Sequence, residues 1–591
     1  SGNLVLSSAN PSASVGALDM GSNELTMVGS TTGQGDVSGI ITRTSIAAST
    51  DYTFGNQYTS FAFTSGGTLP SSVSVQVNLA NPSWKTNAIN RYYSVIQTGG
   101  TTGCKVSMRL HYLQSELNGV NENGVMDFYD IHGGVTIHDH GYSAKNSTDN
   151  WLEIINLSVT YIAPSSSSYA TKNWTIGQST SPNFTWIGPV STDWNDADNW
   201  SGGVPSDTSD VIIPDASTTD FDPTTTTASV KSISIASGGI LNGGGTLTVA
   251  KSSGTAWTND GGTFNPGSGT IEFTGSGATM GGTTTFNNIT VASGASLQLS
   301  SGAEMKIAGT LTLTGSLDAT TFDNTVEFNN ASGGQTINAI NYHNLKVSNT
   351  SGTTTISGTV GVYDLFTPGS EAYTVTGSTV NFNGNGAGQN IPAFTFNNLG
   401  ISNSSKSLTG AVTVNGTLTL TSGIVTTTTS NLLTMASGSS LSGGSSTAFI
   451  YGPMRKIGNT DFTFPIGKDS GYARVGITNI SGSSSDYFTV EYFSDPYTNA
   501  TLGSGLTSGR ISRKEFWEIT PNNNSLGANV TLYWENGTFS GIRSAPSDTN
   551  LVVAHFNGSN WGSVGNTNLT GSASAGSVTS STISSWSPFT F

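Results

Sequence analysis

The chain of 591 residues is long enough for several domains. Only 9% of its residues are charged, the formal net charge is −16, and its 20 Lys and Arg are scattered along the whole length, which excludes the clustered cations that nucleic-acid binding demands. No stretch nears the ~18 apolar residues needed to span a bilayer, and a lone cysteine, Cys104, excludes an internal disulfide.

The elements in chain order are all β. The opening "GNLVLSSANPSASVGALDMGSNELTMVG" alternates apolar and polar residues, as a half-buried strand does. It nearly repeats "GTLTLTSGIVTTTTSNLLTMASG" some four hundred residues later. Strand patterns follow in "DVSGIITRTSIAASTDYTFGN", "INRYYSVI", "KVSMRLHY", "VMDFYDIHGG" and "WLEIINLSV"; these are longer, as expected of an antiparallel sandwich. Cys104 reads as a packed strand residue, not a reactive thiol. The run "SSSS" then reads as a linker, and a Trp-rich segment follows, with Trp174, Trp186, Trp194 and Trp200.

The middle carries an internal repeat. "TIEF" starts at Thr270, "TVEF" at Thr325 and "TVNF" at Thr379, steps of 55 and 54 residues, and each is answered by an aromatic, a polar residue, Asn and an aliphatic that end in Asn288-Ile289, Asn344-Leu345 and Asn398-Leu399. Short alternating segments closed by Gly, Ser or Asn fit the successive sides of a β-solenoid. One unit makes two or three rungs. Asn288, Asn344 and Asn398 either form a side-chain amide ladder or simply make turns. Downstream, "AFIYGPMRKIGNTDFTFPIGKDSGYARVGITN", "ISRKEFWEI", "ANVTLYWENG" and "LVVAHFNGSNW" mirror the N-terminal order. The predicted fold is therefore an all-β chain, a central β-solenoid rod flanked by two related β-sandwich modules. Its parts are a terminal coil plus sandwich over 1–165, a linker and solenoid-introducing segment over 166–215, the solenoid over 216–423, and a second coil plus sandwich over 424–591.

Two stretches carry a family resemblance. "TWIGPVSTDWNDADNWSGGVPSDTSDVIIPD" resembles the module that introduces repetitive β regions in large secreted and surface proteins of the Bacteroidetes, and "FPIGKDSGYARVGITN" with "SSWSPFTF" resembles the sandwich that precedes a type IX secretion sorting domain. The resemblance implies an extracellular or cell-surface location and a structural or adhesive role. The sequence departs from it in reaching Phe591 without a sorting domain, either cleaved or outside this stretch.

Candidate chemistry is sparse. A polysaccharide-active solenoid would carry acid, base and cationic groups on one outer face, yet no Arg occurs between Arg109 and Arg455 and the rod's one histidine is His343. Glu272 and Glu327 hold equivalent repeat positions and read as solvated carboxylates. The chain is read as no enzyme. His132, His138 and His140 form a candidate metal cluster beside Asp130, against which stands a plain polar hairpin edge. Asp193, Asp196 and Asp198 miss the spacing of an EF-hand loop and leave only a looser calcium site; no other cofactor is implied. Trp186, Trp194 and Trp200 either stack on sugars or cap the end of the solenoid core. Finally, Asn3, Leu4, Val5 and Leu6 form a strand edge with neither charge nor proline. The expectation is a head-to-tail homopolymer built through that edge; the alternatives are a monomeric stalk binding surface glycans and a polysaccharide-active enzyme.

Overall fold

A computed structural model describes the chain except residues 1–2, 7–17, 34, 101–102, 123–125, 133–135, 141, 163–170, 179–182, 197–198, 202–203, 387, 470, 504, 507–509, 543–549 and 587. The chain is all-β, with a β-solenoid and, among the described residues, only single helical turns such as Val159–Ile162 and Gly537–Ser540. It divides into two units, Ser1–Ala278 and Thr279–Phe591.

The first unit opens with β1 (Leu4–Val5), β2 (Leu18–Thr26), β3 (Thr31–Thr32) and β4 (Val37–Thr44). These pair in parallel, β1 with β3 and β2 with β4, which is the pairing of a solenoid coil. From β4 onward the pairing turns antiparallel. The following strands are β5 (Asp51–Thr53), β6 (Ser60–Phe63), β7 (Pro70–Asn78), β8 (Ala88–Gly99), β9 (Lys105–His111), β10 (Met126–His132), β11 (Thr136–Asp139), β12 (Ala144–Asn146), β13 (Trp151–Ser158) and β14 (Thr171–Gln178). One sheet runs β11-β10-β14-β8-β7-β4-β2 and the other β12-β13-β9-β6-β5. Because successive side chains alternate across a strand, one face of each sheet is apolar, and Val73, Val75, Tyr93, Val95 and Phe128 of the first meet Phe61, Met108, Leu110 and Leu152 of the second in one core.

β14 belongs to that sheet, paired on both sides by β8 and β10, so Trp174 lies in this core and not in the solenoid-introducing segment. The serine run that suggested a boundary before it lies outside the described residues. The parallel ladder of the solenoid likewise starts before residue 216, with Asn183–Thr185 on Asp210–Ile213. Above it stand Ser232–Ile235 and Gly254–Asn259. Two further faces, Thr224–Thr225 under Ile240–Gly243 and Ala228–Val230 under Thr246–Val249, complete three-sided rungs. Registry places Val211, Ile233 and Trp257 in one buried column.

In the second unit one face runs through Glu304–Ile307, Thr325–Phe328, Asn341–Val347, Thr359–Thr367, Thr379–Phe382, Asn398–Ile401, Thr417–Leu420 and Ser440–Gly443. Thr325 and Thr379 are three rungs apart, but Thr270–Phe273 belongs to a different sheet, with Thr246–Val249 and Asn288–Val291, so the 54- and 55-residue steps do not return the chain to one face and Glu272 and Glu327 are not equivalent. Asn344 and Asn398 are therefore separated by roughly 14 Å at ~4.8 Å per rung, too far for a ladder. Each instead bridges its own neighbours: Asn344 donates to Asn324 O and accepts from Leu365 N, and Asn398 donates to Ser378 O and accepts from Thr417 N. Asn288 accepts from Thr310 N. The conserved spacing of these amides thus stitches rung to rung instead of forming an Asn column or a simple turn. Glu327 is not a solvated carboxylate either; it is 5% exposed and lies between Lys346, at 3.1 Å, and Lys306, at 3.6 Å.

The end of this unit repeats a pattern of the first. Leu433–Met435 pairs in parallel with Met454–Ile457, after which the ladder turns antiparallel through Tyr487–Phe493, Phe516–Pro521, Phe589–Thr590, Ala554–Phe556 and Trp561–Ser563. Their order matches β2, β4, β7, β8, β14, β10 and β11, strand for strand. The second sheet, Phe462–Phe464, Val475–Thr478, Asn529–Trp534, Gly576–Thr579 and Asn568–Gly571, has the order of β5, β6, β9, β13 and β12.

Candidate functional site

The duplicated order lets one coil be read against the other. In the second unit, Val425–Thr426 has Lys406–Leu408 on one side and Ile450–Tyr451 on the other, and Leu433–Met435 lies between Val412–Val414 and Met454–Ile457. In the first unit β1 and β2 occupy the matching places and have a strand partner on one side only, among the described residues. The strings "SNLLTM" and "SNELTM" show the consequence. Asn431 donates to Leu408 O in the rung beneath, whereas Asn23 turns back to Met20 O, three residues away.

Burial follows the same division. Val425 and Leu433 are buried, while Leu4, Leu6 and Leu25 are only partly so, packed on one side against the core. Val5 is 68% and Val28 83% exposed. Asn3 steadies the start of the coil by accepting from Ser30 N, and Leu4 N and Leu6 N donate to Ser30 O and Thr32 O. The strand Leu4–Val5 is thus paired on its inner side and, among the described residues, has no strand on its outer side.

Two buried guanidinium groups hold this coil against the sheets. Arg43, on β4, donates to Gly29 O in the coil and to Thr53 O on β5. Arg91, on β8, meets Asp36 at 2.7 Å and Glu116 at 2.8 Å, and Asp36 O accepts from Leu18 N at the start of β2. Burial works against charge on Asp36, but Arg91 and His111 hold its carboxyl well below the usual carboxylate range. Sequence reasoning missed this network, although the signal was present: Arg43 shares a strand face with Ile41, and Arg91 with Ile89 and Tyr93.

The other anticipated sites are placed as follows. Trp186, Trp194 and Trp200 are at most 1% exposed, with ring centroids 5.0 and 4.6 Å apart, and their indole N–H groups include donors to Phe221 O and Trp194 O. No face of these rings is open to a sugar, so they do not serve as stacking platforms; they pack beside the first solenoid strand, Asn183–Thr185. The side chains of His132 and His138, and all of Asp198, lie outside the described residues. His140 Nε2 sits 2.5 Å from Asp130 Oδ2, which Lys172 also meets at 2.8 Å. Burial alone would raise the Asp130 carboxyl; these two partners lower it. Asp193 accepts from Asn195 N, and Asp196 N donates to Asp193 O. Among the described residues no three His, Cys, Asp or Glu side chains gather as a metal set.

The fold and edge define an all-β repeat protein that combines a solenoid with paired antiparallel sheets. No family model, curated protein or solved structure matches the chain.

Proposed function

We propose that the chain is an extracellular structural protein whose copies join head to tail, the far side of β1 and β2 being covered by strands of a second copy. One observation carries the reading: the same coil, at the matching place in the second unit, is covered by parallel solenoid strands of its own chain, while in the first unit it presents, among the described residues, an open edge and apolar side chains. The Leu4–Val5 part of that edge carries neither charge nor proline, the charges of the coil being Asp19 and Glu24 on β2, and such an uncovered edge is a template for further pairing. The interface is heterologous, and such a contact propagates as a fibre unless its rotation closes a ring. The resemblance to secreted Bacteroidetes repeat proteins supports the location, and the sparse, dispersed charge supports a structural part over catalysis.

Electron microscopy and sedimentation of the purified chain across a concentration series test the reading. The expected result is fibres or rings whose formation is lost when Ser1–Ser8 is deleted and when Val5→Lys places a charge on the edge, both variants keeping the β circular dichroism of the parent. A parent that stays monomeric at high concentration overturns it.

A further inference from the structure

The second unit carries a cleft where one sheet of its solenoid ends and another begins. Up to Ser316–Asp318 the rungs have three faces, since Asn288–Val291 pairs with Leu311–Leu313 and Ser296–Leu299 with Ser316–Asp318 beside the main sheet. From Thr325 to Thr374 one face is the three-stranded sheet Thr336–Ile337, Thr353–Ile356 and Ala372–Thr374, while Asn341–Val347 and Thr359–Thr367 each turn a corner and serve the other two, Tyr342 on Val362 in one and Leu345 on Phe366 in the other. From Thr379 onward a new sheet begins at Phe394–Phe396 on Val412–Val414. Ala372–Thr374 is thus the last strand of one sheet and Phe394–Phe396 the first of another, and among the described residues neither has a strand partner on its far side. Between them opens a cleft of about 570 Å³ lined by Glu371, Tyr373, Thr374, Phe394, Thr395 and Asn415.

We infer that this cleft binds a neutral glycan chain. Its volume falls in the range of ordinary ligand sites. The rings of Tyr373 and Phe394, 4.9 Å apart and nearly perpendicular, supply apolar surface for the C–H faces of a sugar, as aromatic side chains do for other flat or ridged ligands. Around them stand a carboxylate, an amide and threonine hydroxyls, which donate to and accept from sugar hydroxyls. The wall is fixed beforehand: Tyr373 Oη accepts from Gly369 N at 2.9 Å, and Glu371 Oε1 accepts from Thr354 Oγ1 at 3.1 Å. No Lys or Arg lines the cleft, and its one charge is negative in a chain of net charge −16, so an anionic glycan is repelled and a neutral one is not. The inference is independent of assembly through β1.

Affinity electrophoresis of the full chain tests it, with laminarin, xyloglucan, galactomannan and soluble starch as neutral probes and alginate and polygalacturonate as anionic ones. The expected result is retardation by at least one neutral glycan and by neither anionic one. For that glycan, Tyr373→Ala and Asn415→Ala weaken binding tenfold or more, while Tyr373→Phe, which keeps the ring, binds within threefold of the parent. Melting curves check that each variant is folded. Retardation by no neutral glycan, retardation by anionic glycans alone, or binding left unchanged in folded Tyr373→Ala and Asn415→Ala overturns the inference.

Discussion

At the scale of single residues the two units hold buried charge in opposite ways. Asp36 is ionised because Arg91 faces it at 2.7 Å. A carboxyl lowered in the folded state contributes stability that is present above its unfolded value of ~3.9 and is lost as pH falls below it. The first unit is therefore expected to hold its stability down to about pH 4 and to lose it on further acidification. Asp36→Asn, which leaves Arg91 paired with Glu116 alone, should cost about 1.5–3 kcal/mol, read by chemical denaturation. Glu515 shows the reverse. It is almost fully buried, and burial pushes its carboxyl up to about 7 against the pull of hydrogen bonds from Ser540 and Tyr492. A raised acid favours the folded state only while protonated, so stability should fall as pH climbs from ~4.3 toward 7 and level off above. Melting temperatures of the second unit's transition between pH 4 and 8 should show that slope, and Glu515→Gln should flatten it.

At the scale of elements, the rungs depend on polar side chains that the alternating pattern does not distinguish from solvent-facing ones. Gln389 is 5% exposed; its amide donates to Val362 O and Asp364 O, and its carbonyl accepts from Gly384 N. It closes the backbone where Thr359–Thr367 outruns its partner Thr379–Phe382. Gln389→Leu strands the Asp364 carbonyl and the Gly384 amide, while Val362 O keeps its bond from Asn383 N, and each buried unsatisfied group costs about 1–3 kcal/mol; thermal melting should register a drop of several degrees. Glycine divides in a similar way. The many glycines read as turn formers, and Gly438, at φ +78° with open space around it, is one. Gly245 is not: a Cβ there would lie 1.5 Å from Thr226 O in the rung beneath, so Gly245→Ala should destabilise the solenoid of the first unit, whereas Ser substitution at exposed turn positions without positive φ should be nearly silent.

At the scale of the whole molecule the two copies of one strand order differ in what lies under the first coil, and the proposed assembly rests on that difference. The expected behaviour is concentration-dependent association abolished by Val5→Lys. A melting temperature unchanged by a chelator is also expected, because no three His, Cys, Asp or Glu side chains gather among the described residues; a metal bound by the native state alone would instead raise the melting temperature measurably.

The sequence by itself determined the all-β character and the solenoid, because a strand's alternation and its closing Gly, Ser or Asn are properties of neighbouring residues. It also marked "SNELTM" and "SNLLTM" as counterparts. What it left undecided were the partners. Alternation says that Trp186, Arg91 and Glu327 lie on one side of a strand, not what stands opposite, and so the tryptophans were open to two readings and the arginine network went unseen. Only the tertiary structure decided that Thr171–Gln178 completes the first pair of sheets, that Asn344 and Asn398 are three rungs apart, that Asn341–Val347 and Thr359–Thr367 each turn a corner of the solenoid, and that among the described residues β1 has no counterpart of the strand beneath Val425–Thr426. Each of these is a pairing between residues distant in the chain, and such pairings are set by the packing of whole sheets, to which a local pattern of period two is blind.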